Sequence, residues 1–173
     1  MKKLVIFISF LFLIPTSSLF AEAKVKLEGV HLCCKACVRG VEKAISTVEG
    51  ASVVADREAG TAVVTAPDKK TLRKGLNAIA QGGFYGVSKD SSMKIKDISG
   101  AKNKQVKKVT IEGVHLCCNG CVYAVEDALD TVEGVTGNTL EKRVESFEVT
   151  GDFNEKELFA ALNKAGFAGK ASR

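Results

Sequence analysis

VKLEGVHLCCKACVRGVEKAISTVEG, residues 25–50, returns as VTIEGVHLCCNGCVYAVEDALDTVEG at residues 109–134, with 17 identities in 26 positions at a constant offset of 84. Self-similarity of this kind marks a tandem duplication, so the chain reads as two copies of one unit. In the first copy Val25 and Leu27 alternate with polar neighbours, predicting a short strand that ends in a turn near Gly29. Beyond the cysteines the period changes. Val38, Val41, Ala44, Ile45 and Val48 recur at three and four, predicting a helix that stops at Gly50.

Further along, residues 51–56 and 61–65 are two β-branched runs separated by REAG, a hairpin signal. A second helix follows Pro67 and Asp68, turns Leu72, Leu76 and Ile79 inward and ends at Gly82-Gly83; FYGV (84–87) predicts a last short strand. The second copy repeats the order. It has a strand in KKVTIEGV, a helix over 122–132, strands near 135–140 and 144–149, a helix over 154–165 and a short strand at Phe167. Strand, helix, strand, strand, helix, strand is the split βαβ order of the ferredoxin-like α/β (α+β) sandwich, in which two helices cover one face of an antiparallel sheet. The expected domains are therefore 24–90 and 106–173. Between them SSMKIKDISGAKNKQ, residues 91–105, is polar and lysine-rich and predicts a flexible linker.

Residues 1–23 are set apart from both units. Lys2 and Lys3 precede an apolar run from Leu4 to Ile14, followed by Pro15, small residues and the cleavage box Ala21-Glu22-Ala23. This is the pattern of a signal peptide. Eleven residues before a proline fall short of the roughly 20 that span a bilayer, so no stable membrane anchor is expected and the mature chain is expected in the periplasm or secreted. Removing Lys2, Lys3 and Glu22 leaves 23 basic and 19 acidic residues, a mild net +4 that calls for no polyanionic partner. The charge is uneven. Residues 24–90 carry +4 and residues 106–173 carry −3. On the first helix Lys35, Arg39 and Lys43 fall at intervals of four, where the second copy has Asn119, Tyr123 and Asp127. The two helix faces are either solvated surfaces that have diverged or complementary ones that allow contact between the two domains.

All six cysteines and both histidines lie inside the two repeated motifs, at His31, Cys33, Cys34, Cys37, His115, Cys117, Cys118 and Cys121. Each motif joins the first strand to the first helix. A CxxC at that junction brings two sulfurs together where unpaired helix amides and the positive dipole end favour thiolate. Thiolates select soft or borderline ions, here Cu(I), Hg(II) or Zn(II), over hard ones. In an exported protein the same cysteines could instead close as a Cys34–Cys37 disulfide, which would have to be reduced before metal binds.

With CxxC placed in this order of elements, each unit resembles the heavy-metal-associated (HMA) domain, the module of copper chaperones, of the N-termini of metal-pumping P-type ATPases and of periplasmic mercuric ion binding protein. The resemblance spans nearly the whole chain after residue 23, twice. It implies that Cys34, Cys37, Cys118 and Cys121 are the metal ligands, with Gly29 and Gly113 near the family's glycine. Gly83-Phe84 and Gly166-Phe167 match a late GF element, which makes Phe84 and Phe167 site-shielding aromatics as well as core residues. Leu32 and Leu116 replace the family's methionine, a near-isosteric change. Cys33 and Cys117 replace its usual threonine, serine or histidine, and with His31 and His115 they are further candidate ligands. Three sulfurs would suit Cu(I) or Hg(II), and three sulfurs with an imidazole would suit Zn(II). In an extended strand, however, His31 and Cys33 would face away from Leu32 and Cys34.

The expectation is a non-enzymatic soft-metal binding protein, Cu(I) first, holding up to one ion per domain. It would buffer the ion or transfer it by thiolate exchange with a donor or acceptor protein such as a membrane metal transporter. The alternative is a CxxC thiol-disulfide redox protein. Against that, the thioredoxin order of elements is missing, and after residue 23 only Pro67 remains to sit opposite the cysteines. RNA-recognition modules share the sandwich order, but GGFYGV (82–87) lies on the last strand and not the third, so no nucleic acid is expected. No Ser/His/Asp set, phosphate loop or carboxylate dyad supports hydrolysis.

Overall fold

The computed structural model describes residues 22–172. Most of the predicted signal segment, residues 1–21, lies outside them. The first unit comprises β1 (Ala23–Glu28), α1 (Lys35–Ile45), β2 (Ser52–Asp56), β3 (Thr61–Ala66), α2 (Lys69–Gln81) and β4 (Val87–Ser88). The second comprises β5 (Gln105–Glu112), α3 (Asn119–Asp130), β6 (Val135–Asn138), β7 (Ser146–Asn154), α4 (Glu155–Lys164) and β8 (Lys170–Ser172). Among the described residues the two antiparallel sheets run β2-β3-β1-β4 and β6-β7-β5-β8. These are two tandem ferredoxin-like domains.

Local chemistry explains the elements. Alternation puts Val25 and Leu27 on the buried face of β1, which pairs with β3 from Ala23↔Ala66 to Glu28↔Thr61. In α1 the buried side chains are Cys37, Val41 and Ile45, at intervals of four on one stripe. Asp68 caps α2 by accepting from the Thr71 amide at 2.8 Å, and Asn154 caps α4 by accepting from Lys156 at 3.0 Å. Leu72, Leu76 and Ile79 are almost fully buried beneath α2. Burial of each such side chain contributes about 1.5–3 kcal/mol. No helix among the described residues is long and apolar enough to cross a membrane.

Two segments differ from the sequence reading. The last strand of each domain begins later than expected, at Val87 and at Lys170. Phe84 and Phe167 instead form an isolated antiparallel bridge to each other. Around it the Tyr85 amide donates to the Gly166 carbonyl at 2.9 Å and the Ala168 amide to the Gly83 carbonyl at 3.1 Å. The segments after α2 and α4 thus join the two domains. The polar segment before β5, predicted as a flexible linker, has no helix or strand but is laid against the domains. Met93 and Ile95 are buried, the Ala171 amide donates to the Ser99 carbonyl, and the Lys102 amide donates to Glu155. Its M-x-I alternation provides two apolar anchors among the lysines.

Candidate metal centre

β1 ends at Glu28 and α1 begins at Lys35, so His31 to Cys34 occupy a loop in which strand alternation no longer holds. Leu32 alone turns fully into the core. Cys34 and Cys118 are the extended N-cap residues of α1 and α3, while Cys37 and Cys121 lie buried in the first helical turns. Both helices therefore aim their free amides at the same place.

The bridge between Phe84 and Phe167 brings the two loops face to face. Within each motif Cys34 and Cys37 stand 3.7 Å apart, and Cys118 and Cys121 stand 3.9 Å apart. The sulfurs of Cys33 and Cys117 cross to the opposite domain. Cys33 lies 3.4 Å from Cys118 and 3.6 Å from Cys121. Reciprocally, Cys117 lies 3.5 Å from both Cys34 and Cys37. The centre closes with Cys37–Cys121 at 3.7 Å, Cys33–Cys37 at 3.6 Å and Cys117–Cys121 at 3.7 Å. All six cysteines are free thiols.

The histidines and phenylalanines cross as well. His31 stacks on Phe167 and His115 packs on Phe84, each with centroids 4.4 Å apart. An expectation based on one domain at a time places each ring beside its own loop; here each ring meets the imidazole of the other. Sequence reasoning missed the role of Gly83 and Gly166 in this. A Cβ on Gly83 would lie 2.5 Å from the Gly113 carbonyl and strike the His115 amide; one on Gly166 would lie 2.6 Å from the Gly29 carbonyl and strike the His31 amide. Both glycines are also left-handed, at φ 86° and 89°. The recurrence of glycine before phenylalanine in both copies was the available signal.

No protein-family model matches the chain, and no curated protein matches it. Five chains of solved structures do. Among them are the N-terminal soluble domains of Bacillus subtilis CopA, solved in solution, at 18% identity over 89% of this chain and 96% of that one, with a TM-score of 0.31.

Electrostatics divides the six thiols. The first-turn amide of Cys121 is the main cause holding Cys118 down at about 7. Cys33, although exposed as a residue, is pushed up to about 12, first by the desolvation of its sulfur and then by its contacts with Cys118 and Cys37. Cys117 is raised for the same reasons, with Cys34 as the first contact. At the centre, Cys37 is held far below the usual thiol range, chiefly by the hydrogen bond from Cys121, and Cys121 is raised by that contact and by burial. The pair shares one proton, because two thiolates cannot sit together at that distance without a cation. Burial lowers His31, favouring the neutral imidazole.

Among the described residues, the groups placed to hold a metal consist of these cysteines and His31, with no carboxylate. That donor set suits soft cations. The Nε2 atoms of His31 and His115 are buried without a hydrogen-bond partner. Beside the cluster an open groove of about 740 Å³ reaches Cys117 and His115 and is flanked by Arg143 and Lys170. By contrast, Lys35, Arg39 and Lys43 and their counterparts Asn119, Tyr123 and Asp127 are all exposed. The domains meet through loops, and the charged helix faces look outward.

Proposed function

We propose that this is an exported, non-enzymatic carrier of soft metal ions, Cu(I) first, which presents a thiolate site shared by its two domains. The observation that carries the reading is the convergence of all six sulfurs within a few ångströms, away from any carboxylate. The ion is cargo. It arrives from a donor protein and leaves to an acceptor, such as a membrane metal transporter, by stepwise exchange of one thiolate for another. Cys33, exposed at the rim, and Cys117, at the end of the groove, are the sulfurs an incoming thiol meets first.

The test is an anaerobic competition. Reduced protein is mixed with a Cu(I) complex of a coloured chelator, desalted and assayed for copper and for free thiols. The reading expects copper to move to the protein with loss of reactive thiols. Copper left entirely on the chelator, with six free thiols in the protein, would contradict it. Fractionation of the source cells tests export, with a mature N-terminus near Lys24 expected.

A further inference from the structure

We propose that the six sulfurs hold four Cu(I) ions as a single cluster bridging the two domains, and not one ion in each CxxC. This rests on the Cu(I)-binding reading above and deepens it.

Nine sulfur–sulfur separations lie between 3.4 and 3.9 Å. Three more, Cys33–Cys34, Cys34–Cys118 and Cys117–Cys118, belong to groups whose atoms lie within 4.8 Å of one another. Together these contacts connect as the edges of an octahedron with Cys33 opposite Cys117, Cys34 opposite Cys121 and Cys37 opposite Cys118. An octahedron has two alternating sets of triangular faces. One set here is Cys34–Cys37–Cys117, Cys33–Cys34–Cys118, Cys33–Cys37–Cys121 and Cys117–Cys118–Cys121. Each sulfur belongs to two of these faces, so four three-coordinate ions use every sulfur twice and leave none over. The pseudo-twofold relation between the domains converts this set into the other, so neither domain owns the cluster.

The distances agree. In the triangle Cys34–Cys37–Cys117, with edges of 3.7, 3.5 and 3.5 Å, the centre is about 2.1 Å from each sulfur. An ion with metal–thiolate bonds of about 2.3 Å sits roughly 1 Å above such a face. A single ion held linearly by one CxxC would instead set its two sulfurs about 4.6 Å apart, against 3.7 and 3.9 Å in the two motifs. That arrangement would also leave Cys33 and Cys117 unused, although each approaches the opposite pair more closely than the pair members approach each other. Four-coordinate Zn(II) is a poorer fit to three-sulfur faces.

Loading displaces the protons that the thiols still hold, including the one shared by Cys37 and Cys121, and joins four unit positive charges to six thiolates, for a net −2. The N-termini of α1 and α3, each equivalent to about half a positive charge, offset part of it.

The deciding experiment is native mass spectrometry of the full reduced chain during anaerobic Cu(I) titration, with copper K-edge X-ray absorption on the saturated sample. The expected result is a dominant four-copper species, three sulfur neighbours per copper and a short copper–copper vector; the Cys33→Ser/Cys117→Ser variant holds at most two. Saturation of the wild type at two coppers without a copper–copper vector overturns the cluster and leaves the metal-binding reading standing. Failure to retain any copper overturns both.

Discussion

The two metal loops are the same in sequence from Glu28 to Cys34 and from Glu112 to Cys118, and nearly the same in geometry. Their histidines meet the opposite phenylalanine at 29° and 30°. Their crossing contacts, Cys33–Cys118 and Cys34–Cys117, measure 3.4 and 3.5 Å. One residue further on the copies part: Lys35, Arg39 and Lys43 stand where the second has Asn119, Tyr123 and Asp127, all exposed. A residue in the shared centre touches both domains, so a change there is felt twice. A residue on an outward face meets only solvent or a partner.

Pushing the domains apart should damage this equivalence most. Gly83→Ala with Gly166→Ala sets two methyl groups into the opposite backbone. It also costs about 1–2 kcal/mol of left-handed strain at each position. The expected outcome is domains that keep their circular dichroism while small-angle scattering shows an extended pair and the shared centre is lost. Next in size is removal of one crossing sulfur. Cys33→Ser and Cys117→Ser should each weaken Cu(I) retention by about tenfold or more, roughly 1.4 kcal/mol. In double-mutant cycles, Cys33 should couple to Cys118 by about 0.5–3 kcal/mol.

Alkylation of the metal-free protein separates the two partners of one contact. Cys33 is the more exposed partner, yet Cys118 should react first. Its thiolate forms as pH rises through about 7, whereas Cys33 stays protonated until about 12; peptide mapping after brief iodoacetamide treatment at pH 8 reads the order. The smallest effect is expected from Arg39→Glu with Lys43→Glu. Both side chains are exposed, and the three ion pairs found among the described residues each lie within one domain. Copper stoichiometry and domain contact should be unchanged within error, with any change confined to the salt dependence of transfer to a partner.

Much of the fold was legible because its signals are local. The switch from alternating Val25 and Leu27 to the four-residue spacing of Val41 and Ile45, and Pro67-Asp68 ahead of the second helix, each act within a few residues, and the repeat shows the same signals twice. The place of the cysteines between first strand and first helix followed from that order. The way the two loops meet did not, since no pattern inside one unit encodes contact with its copy. Alternation suggested that Cys33 would turn away from Cys34. Because the strand ends at Glu28, that alternation does not reach Cys33: its sulfur lies within 4.8 Å of Cys34 and 3.6 Å from Cys37, and it also touches a second pair of sulfurs that a single unit lacks. Gly83 and Gly166 likewise read as helix ends followed by a family-like aromatic, while the reason for a missing Cβ lies 30 residues away in the other domain for Gly83, at Gly113 and His115.

Whether thiols from the two domains form one site can be decided without metal. In a chain with Cys34, Cys37, Cys117 and Cys121 replaced by serine, mild oxidation should join Cys33 to Cys118 rapidly within one molecule, at a rate independent of protein concentration. Two thiols that stay reduced, or that pair only between molecules as concentration rises, would contradict the shared site.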